Sequence, residues 1–197
     1  MLKVRVLRNM QNAEATRERI LEAALAEFSA YGVAGARVDR IAREAGCNKN
    51  LIYIYFESKE NLFTTVLQKN LLRLYQEIAF NPSDLPGYAG RVFDYTLAHP
   101  DLMRLVAWTN LEQQAVTPDR LGVHSGKVEE IRQAQESGLV NPNFPPGFIL
   151  IMVMTMANAW SASNPYGQQL EPSALQDPTK LRANIIEAVR LLTIVTG

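Results

Sequence analysis

The chain has a single cysteine, Cys47, and only two histidines, His99 and His124. One thiol excludes an intramolecular disulfide and agrees with a reducing compartment. The histidines stand apart from each other and from any Cys or carboxylate cluster at ligand spacing, so no metal site is expected. An excess of either charge is lacking too, with Lys+Arg and Asp+Glu at 20 each. Residues 1–60 hold ten Lys/Arg against eight Asp/Glu, which is too slight a surplus to identify a nucleic-acid binder by itself. Nor is there a long hydrophobic run. The most apolar segment, Phe148–Trp160, contains Thr155 and Asn158 and is bounded by Pro145–Pro146 and Pro165. It falls short of the roughly 20 apolar residues that span a bilayer. Met1–Arg19 carries Lys3, Arg5 and Arg8 without an apolar stretch, which argues against a signal peptide. The expected location is cytoplasmic. Gly-x-Ser-x-Gly, P-loop and dinucleotide fingerprints are missing, so the sequence supports no catalysis and implies no cofactor.

What is present is a globular composition, 47% apolar and 20% charged, written almost throughout at helical spacing. Ile20, Ala24, Phe28 and Tyr31 recur on one face up to Gly32. Val38, Ile41, Ala42 and Ala45 form a second, short apolar face before Gly46. A third helix is expected over about Asn48–Phe56, with Ile52 and Phe56 inward. Ser58 precedes Lys59–Glu60–Asn61 as an N-cap for a long helix towards Ala79, which the Asn81–Pro82–Ser83–Asp84 cluster ends. Further helices are expected at about 88–98, 101–115, 125–137, 147–163 and 178–196, with a loop around Asn164–Pro178. Alternating β-branched runs are absent. The fold class is therefore all-α, with about nine helices. Residues 1–57 form one domain, including a flexible arm over about 1–13, and 58–197 form a second.

The stretch Val38–Phe63, VDRIAREAGCNKNLIYIYFESKENLF, has the physics of a helix-turn-helix. Ala45 is small enough for close helix approach, and Gly46 can take the positive φ of a sharp turn. The next helix opens with Asn48, Lys49 and Asn50, where a recognition helix meets base edges in the major groove. Asn can pair bidentately with adenine, Lys can reach guanine or a phosphate, and Leu51 could pack on a thymine methyl. A plain helical hairpin would carry the same pattern.

Tyr31–Gly32, Ile41–Ala42…Ala45–Gly46, Tyr53…Phe56, Ser58–Lys59–Glu60 and Leu62 together resemble the signature of the TetR (tetracycline repressor) family, over about Arg17–Leu67. The resemblance implies an N-terminal three-helix DNA-binding domain and a C-terminal helical domain for effector binding and dimerisation. It implies further that Tyr53 and Lys59 contact DNA phosphates. Tyr55 stands where the family usually has His, and it too could donate to phosphate; core packing is the alternative for both tyrosines. Two departures stand out. The Thr/Ser that usually caps the second helix is replaced by Ala36–Arg37, at a cost of about 1 kcal/mol, although Arg37 could reach a phosphate. The usual Gly-Thr pair early in the recognition helix is Asn50–Leu51. Lys3, Arg5 and Arg8 are either an arm on DNA or a tail, and Cys47 is expected to be a packed thiol.

In the second domain, Phe93, Met103, Trp108, Met152, Met156 and Trp160, with Phe148, could line an apolar effector pocket or simply pack as core. The last helix carries a stripe of Leu181, Ile185, Val189 and Leu192, with Ile186, Leu191 and Ile194 off it, so it should be buried on more than one side. In the family the equivalent helices form a four-helix dimer interface, and a two-fold dimer suits a palindromic operator. The expected partners are double-stranded operator DNA, a small and largely apolar effector, and a second copy of the chain. The reading is an effector-responsive repressor. Its rivals are a regulator controlled by a partner protein and a helical small-molecule carrier with weak DNA binding.

Overall fold

Helices account for the chain, as its apolar spacing requires. The computed structural model describes residues 2–112 and 118–195, with backbone alone for 2–11 and 118–122. The chain divides into two compact units, one of residues 1–73 with 104–113 and one of 74–103 with 114–197. The division therefore falls inside two helices, not at residue 57 where sequence reading sets the domain boundary.

In the first unit, α1 (Leu2–Gly35) buries Ile20, Ala24 and Phe28, one per turn. Its backbone is helical from Leu2, so the stretch expected as an arm continues the helix; the side chains of Lys3, Arg5 and Arg8 lie outside the described residues. Gly32 breaks the helix with φ 66°, ψ −176°. The short α2 (Val38–Glu44) turns Val38, Ile41 and Ala42 inward. Gly46 then takes φ 62°, as the turn requires. α3 (Lys49–Phe56) buries Ile52 and Phe56. Ser58 caps α4 (Lys59–Glu77), its hydroxyl accepting from the Asn61 N–H at 3.0 Å. Phe63 on α4 meets Phe28 edge-to-face at 5.3 Å between ring centres, closing this core.

In the second unit a 3₁₀ turn (Pro82–Asp84) leads into α5 (Leu85–Ala98), which is packed against two later helices, α8 (Pro146–Asn158) and α10 (Pro178–Thr193). Its Tyr88, Ala89, Val92 and Phe93 are buried. Gly90 admits α10 closely: a Cβ there would lie 2.9 Å from the Ile186 side chain. The helix α6 (Pro100–Leu111) crosses the division of the chain after Met103, and α7 (Pro118–Glu136) packs on α8. The expected loop at Asn164–Pro178 instead holds α9 (Pro165–Leu170) and a second 3₁₀ turn (Pro172–Gln176), giving ten α-helices among the described residues. The cause is a local signal: the Asn164 side chain accepts from the Tyr166 N–H at 3.0 Å, with Pro165 at the first helical position. Among the described residues no helix is long and apolar enough to cross a membrane.

Candidate nucleic-acid interface

The recognition helix is sided by its own sequence. Ile52 and Phe56, four apart, anchor α3 to the first unit, which leaves Asn50, Tyr53 and Ile54 on the opposite, exposed face. Tyr53 is 42% exposed and Ile54 71%. Sequence reading names Tyr53 but misses Ile54, although its position two residues from Ile52 on a helix already turns it outward. An exposed isoleucine between polar neighbours offers an apolar contact for a thymine methyl. Leu51, expected in that role, is half-buried, and so is Tyr55, whose ring stands edge-on to Phe56 at 6.2 Å.

The helix start is built differently from its sequence-level reading. The Asn48 side-chain oxygen accepts from the Asn50 N–H at 2.8 Å, so Asn48 is the N-cap of α3. Lys49 pairs with Asp39 of α2 at 2.9 Å, and the hydrogen bond and charge of that carboxylate raise its pKa. Asn50 keeps an exposed side chain at the first turn. Lys59 directs its ammonium to the Ala36 carbonyl at 3.4 Å. Arg37 is exposed and gives α2 no side-chain cap.

The missing cap on α2 is replaced from elsewhere. The Glu27 carboxylate of α1 accepts the Arg37 backbone N–H at 2.8 Å and the Arg40 guanidinium at 2.8 and 3.0 Å. Burial alone would raise the Glu27 pKa, but the Arg40 hydrogen bond, the Arg37 amide and both arginine charges outweigh it and hold the carboxyl below its usual range. Arg19 fixes the far end of α2, its guanidinium donating to the Ala45 carbonyl at 3.1 Å. Cys47 is half-buried, and burial pushes its thiol pKa up against the charge of Arg19, which opposes reactivity.

Two of the residues expected at an effector pocket border one groove. Met156 and Trp160 line a groove of about 840 Å³ between α8, the 172–176 turn and α10, together with Leu181, Ile185, Thr155 and Asn184. Phe93 and Met103 are buried in the core, Met152 does not line the groove, and Trp108 belongs to the first unit, its indole N–H donating to the Ser29 carbonyl at 3.1 Å. The stripe Leu181, Ile185 and Val189 is likewise buried, on a helix packed against α5 and α8 of its own chain, with Leu192 half-buried. Most of this stripe is therefore occupied within the chain, while Leu181 and Ile185 also border the groove between α8 and α10. On these two helices Phe148 and Ile151 of α8 and Leu191 of α10 are exposed, as Leu111, Leu139 and Leu170 are elsewhere. A further feature escapes sequence reading: Lys127 is 8% exposed, donates to the Tyr88 hydroxyl at 2.7 Å and lies about 5 Å from the rings of Tyr75, Phe80 and Tyr88. Burial lowers its pKa, and the charge of Glu130 partly opposes that. No cluster of three or more metal-ligating side chains occurs among the described residues.

Comparison with known proteins agrees with this geometry. Residues 20–66 match the model described as bacterial regulatory proteins, tetR family, and residues 84–190 match the tetracyclin repressor-like C-terminal domain. The HTH-type transcriptional repressor SCO4008 of Streptomyces coelicolor is 42% identical over 159 residues, 79% of this chain and 82% of its own. The HTH-type transcriptional repressor NicS of Pseudomonas putida is 34% identical over 70% of this chain and 65% of its own. A crystal structure of the putative transcriptional regulator SCO4942 of Streptomyces coelicolor superposes with a TM-score of 0.80 at 38% identity, covering 90% of this chain and 98% of that one.

Proposed function

The chain belongs to the TetR family of DNA-binding bacterial regulators, and from that premise we propose that it is a homodimeric repressor released from a palindromic operator by a small, largely apolar effector. The observation that carries the DNA reading is the exposed face of α3, where Asn50, Tyr53 and Ile54 stand outward with Ile52 and Phe56 anchored behind. Asn50 reads a base, Ile54 adds an apolar contact, and Tyr53 and Lys59 hold phosphates, with Arg37 and Tyr55 at the margins of the contact.

Dimerisation follows from the operator geometry and from the apolar surface that α8 and α10 leave uncovered. Exposed Phe148 and Ile151 precede the groove-lining Thr155 on one helix, and exposed Leu191 follows the groove-lining Ala188 on the other, at three- and four-residue spacing. We assign this seam to a second copy of the chain. The effector acts in the second unit by favouring a spacing of the two recognition helices that does not fit the operator.

Selection of duplexes from a random pool tests the reading directly. The expected product is a palindrome with half-sites about one helical turn, roughly 34 Å, apart. Failure to enrich any sequence would leave a carrier with weak DNA affinity. On the selected site, Asn50→Ala should lose about 1–3 kcal/mol at one position per half-site and much less on random DNA. Equal loss on both would make Asn50 a positioning contact only. Lys59→Ala should weaken operator and random DNA alike and make the salt dependence shallower by about one unit. An unchanged salt slope would restrict Lys59 to its bond with Ala36.

A further inference from the structure

The left-handed Gly32 divides α1, and backbone groups on both sides of the break are met by one turn of α6. The Val33 and Ala34 N–H groups, just past the break, donate to the two oxygens of Glu112 at 3.1 and 3.2 Å. The Ser29 carbonyl, before it, accepts the Trp108 indole N–H at 3.1 Å. Trp108 and Glu112 are four apart, joined by the Glu112 N–H donating to the Trp108 carbonyl at 2.9 Å, and so face α1 together. Gly32 is required twice over. Its φ of 66° favours glycine, and a Cβ there would lie 2.8 Å from the Trp108 ring and closer still to the Glu112 carboxylate.

The linker beyond the break is held at each step. Glu112 takes the amides of Val33 and Ala34, Lys59 reaches the carbonyl of Ala36, and Glu27 accepts the N–H of Arg37, the residue that starts α2. Glu112 is the one of these side chains that comes from beyond α4. It follows the last residue of α6, a helix whose first four residues belong to the second unit and whose remainder belongs to the first.

We propose that Glu112 and Trp108 form a positioning latch: they fix the Gly32 break that orients α2 and α3, and so set the pose of the DNA-binding face. The latch rests on the operator-binding reading above, yet its local part can be measured without DNA. Neither residue lies on α2, α3 or the start of α4, where the DNA contacts are proposed. Each is a positioning residue, and the latch turns on two amides that donate to a side chain which a helix shift would withdraw.

The test uses the full-length chain with Glu112→Ala, Glu112→Gln and Gly32→Ala, at temperatures where circular dichroism shows each folded. Amide exchange at Val33 and Ala34 should accelerate in Glu112→Ala. Adding the selected operator should slow those two amides in the native protein but not in this variant. Operator affinity should fall roughly 2- to 30-fold with the salt slope unchanged, because no phosphate contact is removed. Glu112→Gln keeps one acceptor oxygen and should lie between the two, while Gly32→Ala should reproduce the alanine variant by displacing both latch residues. Operator affinity within twofold of native in both Glu112 variants, or native exchange at Val33 and Ala34, would overturn the latch. A native protein that selects no operator would instead refute the reading beneath it, and the exchange of the two amides would still report whether Glu112 holds them.

Discussion

Replacing Ile151 by glutamate is expected to separate the protein into monomers and to weaken operator binding by roughly 10²- to 10⁴-fold, the gain that linking two recognition modules provides. Ile151 is 60% exposed on α8, and Leu191 on α10 is 61% exposed. Each lies one turn from a residue lining the groove between those helices, Thr155 and Ala188 respectively. A carboxylate at position 151 would leave the monomer's core untouched but would have to be desolvated without a partner in a pair of chains. Helix content should therefore stay close to native, while sedimentation shifts to the monomer mass and the unfolding midpoint loses its dependence on protein concentration. The contrast is Ile185→Glu. Ile185 is buried at the floor of the same groove, so the same change there should damage the fold of the single chain as well as assembly. An Ile151→Glu protein that sediments as an intact dimer with native operator affinity would move the interface off this seam.

That contrast marks how far the sequence reaches. The stripe Leu181, Ile185, Val189 is legible as apolar from spacing alone, and so is the presence of further apolar residues off it. Which stripe faces inward is not legible, because it depends on where α5 and α8 pass, and Gly90 is the sole local hint of so close an approach. The helix-turn-helix is more readable because its determinants are local: Gly46 takes the positive φ expected of it, Ser58 caps α4, and Ile52 and Phe56 point inward. Even there, the roles of individual side chains change where a long-range partner intervenes. Asn48 turns back on its own helix, Lys49 finds Asp39, and Trp108, expected in an effector pocket, is spent on the carbonyl of Ser29 79 residues away. Apolar spacing reports that a residue is buried; it carries no information on which of two units buries it.

Glu27 is the sharpest case of such a partner, and its removal should have the largest effect on stability of any substitution in the DNA-binding unit's polar contacts. In sequence it is an acidic residue interrupting an apolar helix beside Phe28. In the structure it is 9% exposed, caps α2 through the Arg37 amide and binds Arg40, whose side chain is 29% exposed. Glu27→Ala should cost about 3 kcal/mol. That is the low end of the range for breaking a buried pair, because Arg40 keeps some contact with water while the Arg37 amide loses its acceptor. Glu27→Gln keeps an acceptor for that amide and should recover part of the loss. The pH dependence has a definite sign. Because the folded carboxyl titrates below its unfolded counterpart, whose pKa is about 4.3, its contribution is fully present above that value. It is lost as pH falls through the depressed folded pKa. Urea unfolding of native protein and Glu27→Ala across roughly pH 2.5 to 7 measures the difference directly, and the two stability curves should converge towards the acid end. A difference that stays constant over that range would mean that Glu27 acts through packing and not through its charge.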